Sequence, residues 1–154
     1  MVEVDGGSGN CIHKVDLDPG ILWSWHAIEV TTQVPGTQYI VSHGYYDQHN
    51  HCVSLVGATN EGGKVRRYGG VPGSGPGSLY VPYHLAVDAA DGTIFVADHH
   101  NGRVVVLSPA LEFVQCIATQ GDELKSRPRR LCLDSKSRLL YVGQDDGTLT
   151  VLRL

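Results

Sequence analysis

The 154-residue sequence predicts an all-β fold built from a repeated four-stranded antiparallel sheet. Three observations lead there. Nineteen glycines and seven prolines divide short runs rich in Val, Ile, Leu and aromatic residues, the alternation expected of strands and tight turns. No run of ten or more residues has the apolar period and caps of a helix. A strand-and-turn pattern also recurs 46 residues later, from Asp88 to Asp134, which is the size of one four-stranded unit.

The clearest repeat spans four runs, at positions A to D. They are 84–88 (HLAVD), 93–97 (TIFVA), 103–107 (RVVVL) and 111–117 (LEFVQCI). Asp91-Gly92 and Asn101-Gly102 separate the first three, and both pairs accept the positive φ of a tight hairpin. Ser108-Pro109 ends the third run, because proline cannot donate to a ladder. The next repeat matches at 129–134 (RRLCLD), 139–143 (LLYVG) and 148–152 (TLTVL), with Asp145-Asp146-Gly147 as the turn and no D strand. An earlier, looser copy uses 28–34, 38–42 (QYIVS), 52–56 (CVSLV) and 64–68 (KVRRY), with a long turn over 44–51. Before it, 11–15 (CIHKV) and 21–25 (ILWSW) read as C and D strands of a cut repeat.

The expected organisation is therefore 11–25 as a partial unit, 26–68 and 69–117 as full units, and 118–154 as a unit lacking its D strand. The stretch 69–78 (GGVPGSGPGS) is the crossover from one D strand to the next A strand. Units of this size are the blades of a β-propeller, and about three of them make an incomplete ring, since closed rings take four to eight blades. Terminal blades would then leave a face in water. The expectation is a piece of a longer protein whose missing blades close the ring, or else self-association.

Composition narrows the partners. A net charge of −4 argues against a surface given over wholly to nucleic acid. No stretch is long and apolar enough to predict a membrane span, and the first residues show no secretion signal, so the expected location is cytoplasmic. Cys11, Cys52, Cys116 and Cys132 are widely spaced within apolar runs and are expected to be buried core thiols.

The repeat beginning at Gly73-Ser74-Gly75-Pro76-Gly77-Ser78-Leu79 leads into Pro82, Leu85-Ala86-Val87-Asp88, Gly92, Phe95-Val96-Ala97-Asp98, Asn101 and Arg103-Val104. In these residues it resembles the NHL-repeat β-propellers, and the following repeat is similar in Pro128, Leu131 to Asp134, Tyr141-Val142 and Gly147. The resemblance implies a propeller. It also implies one of three uses: RNA or protein binding by a basic face, as in tripartite-motif proteins; zinc-dependent amidating lyase chemistry; or protein docking. In the lyases a zinc-ligating His directly follows the proline that opens strand A. Here Tyr83 stands there and His84 comes one place late, while Pro128 is followed by Arg129.

Antiparallel pairing puts the B-to-C turns and the D-to-A linkers on one rim. That rim collects His43, His49, His51, His99 and His100, with Tyr45, Tyr46, Tyr83, Lys125, Arg127, Arg129 and Arg130. The expected partner face is Tyr45, Tyr46, His49, Tyr83, His99, His100 and Arg129, with Tyr and Arg as anchors. A divalent metal such as zinc, held by His43, His49, His51 and His99, is the sharper alternative, since imidazole suits zinc and residues 49 and 51 share a side of a strand. Asp98, Asn101 and Arg103 are expected to tie down their turn. No nucleophile and base pair is visible, so the reading is a non-catalytic interaction module, protein-binding first, RNA-binding second, and a zinc lyase third.

Overall fold

The computed structural model describes residues 24–30, 38–44, 50–57 and 66–154. The expected strand at 11–15, and residues 21–23 of the one expected at 21–25, lie outside them. The described residues form three antiparallel sheets and no α-helix. The first sheet runs β1 (Ser24–Val30), β2 (Gln38–His43), β3 (His51–Gly57) and β4 (Arg66–Gly70). The second runs β5 (Pro82–Val87), β6 (Ile94–Asp98), β7 (Arg103–Leu107) and β8 (Phe113–Thr119). The third has β9 (Pro128–Asp134), β10 (Leu139–Gln144) and β11 (Leu149–Arg153). Within each sheet, strands neighbour one another in chain order.

The strands expected over 26–154 are all present, with ends shifted by a few residues. The largest shift is β1, which starts at Ser24 because Ser24 pairs with His43 and His26 with Ser42. Residues 24 and 25 thus belong to the first sheet rather than to a preceding D strand.

Alternating side chains give each sheet two apolar faces, and the sheets stack through them. Ile40, Val53, Leu55 and Tyr68 of the first sheet meet Leu85, Val87, Ile94, Val96, Val105 and Leu107 of the second. The opposite face of the second sheet offers Ala86, Phe95, Ala97, Val104, Val106 and Ala118 to Leu131, Leu133, Leu140, Val142 and Leu152 of the third. The second sheet, covered on both sides, is the centre of the core, and its strand β6 is buried throughout.

The repeat is visible in individual bonds. Tyr80 N–H donates to Asp98 Oδ1 at 2.7 Å, and 46 residues on Ser126 N–H donates to Gln144 Oε1 at 2.8 Å. Asp88 accepts from Ala90 N–H as Asp134 accepts from Lys136 N–H, each at 3.0 Å. Polar pins also cross between the second and third sheets: Arg138 reaches Asp88 at 2.9 Å, and Leu131 N–H donates to His84 Nδ1 at 3.3 Å.

One expectation fails for the cysteines. Cys52 is buried, whereas Cys116 and Cys132 are exposed, and Cys11 lies outside the described residues. Apolar neighbours in sequence made all of them look internal, but Cys132 faces the side of the third sheet that no described element covers.

Candidate partner-binding rim

Register brings the predicted rim residues to one end of the stack. In the second sheet Pro82 pairs with Asp98, Asp98 with Arg103, and Arg103 with Thr119, so the ends of all four strands are level. His43, Cys52, His51 and Gly70 mark the same end of the first sheet, and Pro128 and Gln144 that of the third.

A shared irregularity aims two of these side chains. Pairing shifts register between Pro82 and His84 in β5, and in β9 opposite Gly143 and Gln144, leaving Tyr83 and Arg129 as extra residues at matching places. Bulges of this kind bend a strand and redirect a side chain. The result is contact between sheets: the Arg129 and Arg130 guanidinium carbons lie 5.5 and 5.4 Å from the centre of the Tyr83 ring. His84, one place beyond the bulge, is turned to the backbone of β9 through Leu131.

Aromatic and imidazole rings then run from the first sheet across the second. His51 meets Tyr80 edge-on at 5.2 Å, Tyr80 meets His100 at 4.9 Å, His100 meets His99 at 4.9 Å, and His99 meets Tyr83 at 5.4 Å. His51 is seated by backbone: its Nδ1 accepts the Val81 N–H at 3.0 Å, and Gly44, at φ 132°, leaves no room for a Cβ beside the ring. Val81 itself has φ 55°, a strained value for a β-branched residue, and its carbonyl accepts from His99 N–H.

The Asp145 carboxylate orders the imidazole chain. His99 Nε2 lies 2.7 Å from Asp145 Oδ2, a carboxylate that only accepts, so Nε2 carries the proton. In the neutral pair His99 Nδ1 is then the acceptor for His100 Nδ1–H at 3.0 Å. In that tautomer His100 Nε2 is left as an acceptor. Burial holds the His100 pKa below its ordinary value, with Arg127 adding and Asp145 opposing. Arg129 adds a looser pairing with Asp145 at 3.8 Å.

The turn behind these rings is fixed by Asp98, which is fully buried and accepts from Tyr80 N–H, Asn101 Nδ2 and Arg103 Nε. Burial raises its pKa, against the lowering effect of those donors. Arg103 also donates to the Ser74 and Ser78 carbonyls, and Asn101 to that of Gly73. The structural role expected of the three is present, but what they hold is the incoming crossover as well as their own turn.

A comparison with protein-family models finds no match, and no curated protein matches the chain.

Of the expected partner face, Tyr83, His99, His100 and Arg129 come together, whereas Tyr45, Tyr46 and His49 lie outside the described residues. His99 is itself buried and serves the face by orienting His100. Tyr80, Arg130 and Asp145 belong to the cluster without having been expected as contact residues. Asp145 carried a signal: it stands 46 residues after His99, at the same place in the next repeat. Of the expected zinc ligands, His49 lies outside the described residues. His51 and His99 are engaged as above, His43 is buried with Nε2 unpartnered, and no three His, Cys, Asp or Glu converge among the described residues.

Proposed function

We propose that the chain forms blades of an NHL-type β-propeller and that its His–Tyr–Arg rim binds another protein, with no catalytic step assigned to these residues. The observation that carries the reading is the join at Tyr83. There an aromatic ring from one sheet and two arginines from the next form a single surface, held from behind by His99 and Asp145. Tyr and Arg on a rigid support are the residue types that dominate binding energy at interfaces. The partner chemistry that fits is an acidic or carbonyl-rich loop, with donors supplied by Arg129 and Arg130 and an acceptor by His100 Nε2.

Partner capture by the wild-type chain, compared with Tyr83→Ala and Arg129→Ala, tests the reading. Each variant should weaken binding about tenfold or more while unfolding normally, since truncating an interface anchor costs about 2 kcal/mol. Phe113→Ala, at an exposed position on β8, should leave binding unchanged. Equal affinity across all four proteins would refute the rim.

RNA binding is the second reading, favoured by the exposure of Lys125, Arg127, Arg129 and Arg130 along this rim. It requires that affinity for a single-stranded RNA fall steeply and log-linearly with salt.

A further inference from the structure

The first sheet has two chemically unlike faces. Strand alternation turns Ile40, His51, Val53 and Leu55 toward the second sheet, where the aliphatic three join the shared core and His51 meets Val81. Val41, His43, Cys52 and Ser54 point the other way. They are just as enclosed, at 0%, 8%, 2% and 2% exposed, yet three of the four carry a hydrogen-bonding or sulfur group. A buried polar atom is costly unless a partner meets it. Cys52 Sγ and Ser54 Oγ meet at 3.8 Å. His43 Nε2 meets no hydrogen-bond partner among the described residues. Ser42 Oγ shares that condition, but alternation places it on the junction face, away from this group.

Register sets this ring across from a thiol. His43 pairs directly with Cys52 between β2 and β3. Cross-strand neighbours hold their Cβ atoms about 4.5–5.5 Å apart, a spacing at which an imidazole nitrogen and a sulfur can bind one ion from opposite sides. On the other flank of Cys52 stands Gly69, which brings no side chain. Arg67, opposite Ser54 on the same face, acts electrostatically on His43, and a nearby cation favours thiolate over thiol. Charge then selects the occupant. A neutral imidazole and a thiolate make a complex of no net charge with a monovalent cation, whereas a divalent one would leave an enclosed positive charge beside Arg67. Ligand number agrees, since no third His, Cys, Asp or Glu joins the pair among the described residues, as tetrahedral zinc requires. Thiolate and imidazole are ligands that soft copper(I) accepts. We infer that His43 Nε2 and Cys52 Sγ form a two-coordinate site for copper(I). Binding forms one Cu–N and one Cu–S bond and releases the Cys52 proton to solvent, and no electron is transferred. His51 lies on the opposite face, so this is not the four-histidine centre expected from the sequence, and it uses no residue of the proposed partner-binding surface.

Copper(I) itself is the probe. The full chain with Cys11→Ser, Cys116→Ser and Cys132→Ser keeps Cys52 as its one thiol, and is titrated anaerobically with copper(I) against bicinchoninate. A single ion per chain should bind. His43→Gln and Cys52→Ser in that background, each checked by circular dichroism for retained strands, should weaken binding by more than about a hundredfold, the upper end of what losing a group behind a ligand costs. Excess zinc should not displace the copper. X-ray absorption of the loaded chain should show one sulfur and one nitrogen at the metal. A folded one-thiol chain that binds no copper(I) overturns the proposal, as does binding that survives either variant or yields to zinc. A spectrum with sulfur alone, or with three or more ligands, overturns it too, and that measurement stands even where His43→Gln fails to fold.

Discussion

His43 is the residue whose environment departs most from its sequence context. Its ring is buried at the rim end of β2, and burial, with Arg67 adding, lowers its pKa from 6.5 to about 4. The unfolded chain therefore takes up a proton near pH 6.5 that the folded chain refuses until about pH 4. Stability from this group is complete above the upper value and is lost as pH falls through the interval. Thermal unfolding of the wild type and His43→Gln should differ by a constant amount above pH 7, with the wild type losing ground steadily between pH 6.5 and 4. A difference independent of pH over that range would mean that the ring is hydrated. Asp98 works in the other direction. It too is buried, but three donors, one of them the Arg103 guanidinium, surround it, so the carboxyl organises a turn instead of straining one.

At the scale of the element, β10 and β11 show how one sheet serves two purposes. Leu140 and Val142 point into the junction with the second sheet and are fully buried, while Val151 lies on the open side. Leu140→Ala removes packing from a filled junction and should cost about 2–5 kcal/mol, whereas Val151→Ala should change stability by no more than about 0.5 kcal/mol. Urea denaturation of the two variants checks this asymmetry. Similar losses at both positions would mean that the outer face is already covered in solution. The turn after β6 has a comparable division of labour: Gly102 supplies φ 61° and lies against Gln120, where a Cβ would clash, while Asp98 and Arg103 bind the crossover from below. A rigid turn is what allows His99 and His100 to keep one arrangement.

Across the whole molecule, stability is a sum over junctions between neighbouring sheets rather than the property of one central core. Among the described residues the second sheet shares a junction with each neighbour and the third has only one. Native-state hydrogen exchange should accordingly be slowest in β6 and β7 and markedly faster in β11, whose outer edge no described strand pairs. Uniform protection across the three sheets would show that they open as a single unit.

Strand identity, turn positions and the gathering of His, Tyr and Arg at one rim were legible in the sequence, because they depend on local rules. Period-two alternation, Asp-Gly and Asn-Gly turns and antiparallel parity act over a few residues, and the 46-residue repeat carries them from one unit to the next. What the tertiary structure decided was which of two equivalent faces is covered. Cys52 and Cys132 lie in similarly apolar runs, yet one is enclosed and the other exposed, since burial depends on whether a neighbouring sheet is present and not on the strand itself. The rim followed the same division. The sequence brought His99 and His100 to the right end, but the Tyr83 and Arg129 bulges are set by the pairing within each sheet, and the Tyr83–Arg129 and His99–Asp145 contacts appear only when the second and third sheets stack. Those contacts join residues that no local rule relates, and the distance between them is set by the packing of Leu131, Leu140 and Val142 against Ala86, Phe95 and Ala97.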